Sequence, residues 1–336
     1  MYKPKKELPI ELFGMRYNNP FGLAAGMDKK AEVIRGWESL GLGFIEIGGI
    51  TQLGQEGNMK PRMFRSNSSK ALVNRMGFNN LGSKQMQSNL STHFNRFGNP
   101  TVPLWVNLGK SKDTPLDQSH IDYSKTFERL WSFGDVFVIN VSSPNTPNLR
   151  DLQNDESLAQ IITACQEINS KLAEENGIKK KPILIKIAPE LDDDQLKTVI
   201  HTGMKNGCDG IIATNTTTSR PDTDSKSEQK VYSQKGGLSG IPLRELSTQF
   251  INRIYQITEG KWPIIGVGGI MNADDAWDKI TAGATLIQGY SGFVFEGAGL
   301  TKSIVNGLTK KLKENGLSTI EEAIGLSHRS KEVMIK

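Results

Sequence analysis

The chain has 336 residues, 41 Lys+Arg against 36 Asp+Glu, a formal charge of +5, 37% hydrophobic residues and 34 glycines. That length and apolar share allow a large buried core in one α/β domain or two smaller ones, and exclude a disordered chain. Two cysteines, Cys165 and Cys208, are too few for a disulfide framework, a thiolate zinc site or an iron–sulfur cluster. No stretch approaches 18 uncharged apolar residues and the opening lacks the apolar centre of a secretory signal, so a cytoplasmic location is the expectation.

Residues 8–20 read as a hairpin turning at Gly14, a plug for the bottom of whatever follows. Short apolar runs then recur at 21–26, 44–51, 103–109, 136–141, 182–188, 210–215, 263–270 and 285–290, with helix-like stretches between most of them. Three of these stretches end in glycine just before a strand, at Gly41, Gly207 and Gly283, the residue that closes a helix in the left-handed conformation. Asp192-Asp193-Asp194 reads as a helix start, and Leu196, Val199, Ile200 and Met204 fall on one face of that helix. Eight strand–helix units predict a parallel sheet closed into a (β/α)8 TIM barrel, a single domain over 1–336. An open dinucleotide-binding sheet needs a G-x-G-x-x-G turn after the first strand, where this chain has Ala24-Ala25-Gly26-Met27-Asp28-Lys29. The polar stretch 217–235 after strand six has no periodicity and reads as a lid loop, and 326–336 as a tail. Lysine runs at 3–6, 179–181 and 310–313 have no interleaved aromatics, so solvated faces and no nucleic-acid partner are expected.

In this architecture the chemistry sits at the C-terminal ends of the strands. Those ends carry Lys29, Thr51, Asn107 with Lys110, Asn140 with Ser143 and Asn145, Lys186, Thr214-Asn215-Thr216, Gly268-Gly269 and Tyr290-Ser291-Gly292. Lys186 interrupts Ile-Leu-Ile-Lys-Ile-Ala, where a buried ammonium needs an anion or acceptor. Glycine pairs after strands seven and eight stand at the usual phosphate seat of the fold. A phosphate seat, a buried cation and several amides and hydroxyls fit a phosphorylated planar cofactor, flavin mononucleotide (FMN). The four histidines, His93, His120, His201 and His328, lack ligand spacing, so no metal site is expected.

The ordered motifs Leu23-Ala-Ala-Gly-Met-Asp-Lys29, Ile45-Glu-Ile-Gly48, Asn74-Arg-Met-Gly-Phe-Asn-Asn80, Asn140-Val-Ser-Ser-Pro-Asn-Thr-Pro147, Lys186-Ile-Ala-Pro189, Ala213-Thr-Asn-Thr-Thr217, Gly236-Gly-Leu-Ser-Gly240, Ile265-Gly-Val-Gly-Gly-Ile270 and Tyr290-Ser-Gly-Phe293 closely resemble the class 2 (quinone-type) dihydroorotate dehydrogenase family. The resemblance runs over about residues 8–325. It implies an FMN enzyme of pyrimidine synthesis that oxidises dihydroorotate to orotate, with a hydride from C6 passing to flavin N5 and electrons going on to a quinone. By the same resemblance FMN is held by Ala25, Gly26, Gly49, Asn107, Asn140, Lys186, Thr214, Gly240, Gly269, Tyr290 and Ser291. Dihydroorotate or orotate is held by Lys29, Asn74, Arg75, Met76, Gly77, Phe78, Asn140, Asn145, Asn215 and Thr216. Ser143 matches the base that takes the C5 proton, drained through Thr146 and a water beneath Phe78, and its identity as serine separates this class from the soluble class, which has cysteine.

Two departures stand out. Gly49 replaces a threonine found in many relatives, a change expected to cost one hydroxyl contact and little else. The family's N-terminal helical pair, which docks on the membrane and shapes the quinone tunnel, has no counterpart here, since seven residues precede the hairpin; either the chain is truncated or the second substrate enters differently. Arg65 matches the arginine that faces the quinone, and Lys3, Lys5 and Lys6 can touch anionic lipid weakly at the cytoplasmic face of the membrane. Two other readings stay open: a flavin-dependent reductase of tRNA uridines, which expects a catalytic cysteine, and a barrel that only binds a phosphorylated ligand. The oligomeric state is not legible.

Overall fold

The computed structural model describes residues 2–333. Eight strands, Phe21–Leu23, Ile45–Ile50, Leu104–Leu108, Val136–Asn140, Ile183–Ile187, Gly210–Ala213, Ile264–Val267 and Leu286–Gly289, each lie within one of the apolar runs. They pair in parallel, each with the next, and the last pairs with the first through Ile287 and Phe21, closing the barrel. The strands are buried along their whole length, which is why they read as unbroken apolar runs and not as alternating patterns.

The hairpin pairs Ile10–Leu12 with Met15–Tyr17. Phe13 and Gly14 both take positive φ, 56° and 71°, as a two-residue turn of this hand requires. The fully buried Tyr17 meets Phe44 and Trp105 edge-on at 5.7 and 6.3 Å, and those two rings stack at 4.3 Å. This aromatic cluster seals the barrel floor.

The helix Asp193–Lys205 starts as expected: Asp192 accepts from Gln195 N at 2.8 Å while the Gln195 side chain accepts from Asp192 N at 3.1 Å. Its buried face differs from the sequence reading by one residue. Leu196, Val199 and Ile200 are buried, but Met204 is 45% exposed. The buried position is Gly203, where a Cβ would come within 2.6 Å of Ile185 Cδ1, so the helix sits too close to the fifth strand for a side chain there.

Three features were not anticipated. Strands Met63–Ser66, Ala71–Asn74 and Gly237–Gly240 form an antiparallel sheet above the barrel, with Ala71–Asn74 in the centre. The stretch 217–235 is not simply a loop: it contains the helix Lys226–Tyr232, and Arg220 donates to Tyr232 O at 2.9 Å, Gly236 O at 2.7 Å and Gln234 O at 3.1 Å. Nor is 326–336 only a tail. Leu326–Val333 is helical, Ser327 Oγ donates to Thr281 O at 2.9 Å and His328 stacks on Tyr255 at 4.4 Å; residues 334–336 lie outside the described residues. Among the described residues no helix is long and apolar enough to cross a membrane.

Candidate active site

A cavity of about 980 Å³ opens at the C-terminal ends of the strands, roofed by the antiparallel sheet. Of the residues named from sequence, Ala25, Gly26, Lys29, Gly49, Asn74, Met76, Gly77, Phe78, Asn140, Ser143, Asn145, Lys186, Thr214, Asn215, Thr216, Gly269, Tyr290 and Ser291 line it.

Lys186 is 5% exposed and its ammonium makes no hydrogen bond or ion pair with any described residue. A buried cation in that state requires a partner from whatever fills the cavity. After the seventh strand, Gly268 and Gly269 have φ of 131° and 71°, and a Cβ on Gly269 would lie 2.8 Å from Arg244 N, at the start of the helix Arg244–Thr258. Bare backbone and a helix start thus meet there, an arrangement suited to an anion. The loop is braced from beneath. Ser247 Oγ donates to Gly268 O at 3.1 Å and accepts from the fully buried Lys279 Nζ at 2.6 Å.

The other half of the cavity is polar. Ser143 is 8% exposed, and its Oγ accepts from Asn145 N at 3.3 Å. Asn145 Nδ2 donates to Asn74 Oδ1 at 3.1 Å, tying the serine loop to the roof sheet. Arg150 secures the same loop, donating to Ser142 O at 3.1 Å and Thr216 O at 3.2 Å while paired with Glu190 at 2.8 Å. Lys29 Nζ donates to Asn79 Oδ1 at 2.8 Å. Burial, reinforced by the positive charge of Arg62, lowers its pKa to about 8.

Five residues assigned from sequence are not part of this lining. Arg75, just past the strand Ala71–Asn74, turns away from the cavity, donating to Gln234 Oε1 at 3.1 Å with its guanidinium 4.6 Å over the Phe64 ring. Arg65 is exposed, its guanidinium 5.3 Å over Phe295. Gly240 does not line the cavity: a Cβ there would come 2.1 Å from Lys70 O, so its glycine lets two strands approach, and its neighbour Ser239, bonded to Ser291 Oγ at 2.9 Å, lines the wall instead. Asn107 and Thr146 are buried but not part of the lining, Thr146 with an Oγ1 that has no partner among the described residues. Sequence reasoning missed Asn79 and Ser239, although both stand inside quoted motifs. It also missed Gln288, whose only signal is a polar residue in the apolar run Leu-Ile-Gln-Gly.

Gly49 matters more than the loss of one hydroxyl. A Cβ there would come 2.7 Å from Phe78 Cε1 and 3.0 Å from Asn107 Oδ1. Gly109 faces the same ring, with a Cβ 3.0 Å from Phe78 Cζ, and Phe78 itself is held at φ 50°. The two glycines form the seat of Phe78. Gly49→Thr is therefore expected to displace the ring and destabilise the fold by about 1–3 kcal/mol, measured by thermal unfolding against wild type; an unchanged midpoint would contradict this seat.

The comparisons with known proteins agree with this geometry. A family model described as dihydroorotate dehydrogenase matches residues 7–312. The chain belongs to the dihydroorotate dehydrogenase family. Proteins named dihydroorotate dehydrogenase (quinone) are 45% identical in Trichodesmium erythraeum, over 96% of this chain and 84% of that protein, and 43% identical in Gloeobacter violaceus, over 96% and 86%. Among solved structures, DHODH of Eimeria tenella in complex with ferulenol superposes with a TM-score of 0.91 at 35% identity, over 98% of this chain and 91% of that one. The ligand-free form of the same protein gives 0.89 at 36% identity, over 98% and 94%.

Proposed function

We propose that this member of the dihydroorotate dehydrogenase family oxidises dihydroorotate to orotate on FMN and passes the electrons to a quinone. The observation that carries the reading is one cavity lined at once by Lys186, which has no partner among the described residues, and by the Ser143 loop with Lys29. The names of the relatives, dihydroorotate dehydrogenase (quinone), support the substrate and the quinone acceptor.

The residues fit FMN. Gly268, Gly269 and the start of Arg244–Thr258 suit its phosphate, Lys186 suits the electron-rich edge of its ring, and the buried Gln288 Oε1, which lacks a partner among the described residues, suits one of its donors. When bound, FMN supplies a two-electron acceptor for the substrate C–H bond. The chain supplies the rest. Lys29 and the amides of Asn74, Asn145 and Asn215 hold a flat, carboxylate-bearing ring in one orientation, and fixing that orientation removes much of the entropic part of the barrier. Ser143 Oγ, with Asn145 N donating to it, takes the C5 proton, and Thr146, in the same loop, is the next acceptor in this reading.

The reading based on uridine reduction needs a reactive cysteine. Cys165 and Cys208 are both buried away from the cavity, and burial pushes both thiols well up, which makes them inert.

The decisive experiment mixes the purified yellow protein with dihydroorotate without oxygen. The flavin band is expected to bleach, and to return on adding a soluble ubiquinone analogue faster than with fumarate or NAD. Protein that takes up no flavin, or a band that persists, contradicts the proposal.

A further inference from the structure

Glu46 lies in the second strand, fully buried, beneath the cavity. Its Oε1 accepts from Asn107 Nδ2 at 2.6 Å and its Oε2 from Gln288 Nε2 at 2.5 Å. Both amides thus point their nitrogens at Glu46 and their oxygens away.

Each orientation propagates. Asn107 Oδ1 accepts from Asn140 Nδ2 at 3.0 Å, which turns Asn140 Oδ1 toward the serine loop. There it accepts from Ser142 Oγ at 2.9 Å and Asn215 Nδ2 at 3.3 Å, and Asn215 Oδ1 in turn accepts from Thr216 N at 2.8 Å. On the other branch, Gln288 Oε1 is left on the cavity wall, buried and without a partner among the described residues. A buried acceptor in that state calls for a donor from the ligand.

We infer that Glu46 is a positioning residue whose carboxylate sets the hydrogen-bond direction of the whole cavity floor, presenting Gln288 Oε1 as an acceptor to the bound cofactor and aiming Asn140 and Asn215 at the substrate. The inference rests on the FMN reading above. FMN carries donors of the required kind, its ribityl hydroxyls and its ring imide N–H. A ligand offering only acceptors at that wall would face oxygen with oxygen.

The test uses two variants of the full chain. Glu46→Gln is nearly isosteric, but its own amide hydrogens force Asn107 or Gln288 to reverse or to meet it donor to donor. FMN release on dilution, followed by the fluorescence of the free flavin, is expected to show a dissociation constant raised about 10- to 100-fold. The shift of the flavin band on adding orotate should also change, which a merely structural loss would not produce in the protein that still holds FMN. Gln288→Met should weaken FMN while leaving the orotate-induced shift as in wild type, because the branch to the serine loop does not pass through Gln288. Wild-type affinity together with a wild-type shift in Glu46→Gln overturns the inference. So does unchanged FMN affinity in Gln288→Met, which is also the deciding measurement if Glu46→Gln does not fold. Wild-type protein that retains no FMN would instead overturn the functional reading on which this one stands.

Discussion

Replacing Ser143 by alanine is expected to slow single-turnover bleaching of the flavin by dihydroorotate by about 10²–10⁴-fold, the usual worth of a positioned base, with FMN and orotate bound as in wild type. The reasoning is local. Ser143 Oγ is buried, and its one hydrogen bond among the described residues comes from a backbone N–H, which leaves its own proton uncommitted. The methyl group of alanine removes the acceptor but disturbs neither Asn145 nor Arg150, which hold the loop by other atoms. Stopped-flow absorbance at saturating dihydroorotate separates this step from reoxidation. A bleaching rate equal to wild type would remove Ser143 from the chemistry.

The second large effect belongs to Lys29. Its ammonium faces a cavity proposed to take a carboxylate, and removing one partner of a buried charge pair costs about 2–5 kcal/mol, so Lys29→Met is expected to raise the dissociation constant for orotate by about 10²–10³-fold. The charge also sets a pH dependence. With its pKa lowered to about 8, Lys29 is charged below that pH and neutral above it. The carboxylate binds the charged form, so affinity is flat below about pH 8 and falls toward tenfold per unit above it, and binding above pH 8 takes up a proton. Orotate titrations followed by the flavin spectrum across this range check both claims. A flat profile, or a bend that survives in Lys29→Met, assigns the effect to another group.

The barrel was legible because strands buried on both faces leave apolar runs, and all eight were readable as such. The residues at their ends followed from the architecture. What sequence could not supply was pairing across the fold. The roof sheet includes a short strand, Ala71–Asn74, and Gly237-Leu238-Ser239-Gly240, whose two glycines carry no strand signal, and without that sheet there was no way to see that Arg75 turns outward. Met204 failed for a similar reason: the helix rotates to bring Gly203 against the barrel. The reasoning used for Lys186, a polar residue inside an apolar run, applies equally to Glu46 in Ile-Glu-Ile-Gly and Gln288 in Leu-Ile-Gln-Gly. Their hydrogen bond joins strands two and eight, and nothing in a linear text pairs those positions.

The seam between Phe21–Leu23 and Leu286–Gly289 has a consequence for how the molecule is made. Its two sides are nearly the full chain apart in sequence, so a nascent polypeptide emerging from the ribosome carries two bare sheet edges until almost the end of translation. Closure of so long a loop is entropically slow. Vulnerability to self-association should accordingly peak late in synthesis, and shortening the chain ahead of its last strand would leave a sticky, open crescent in place of an enzyme.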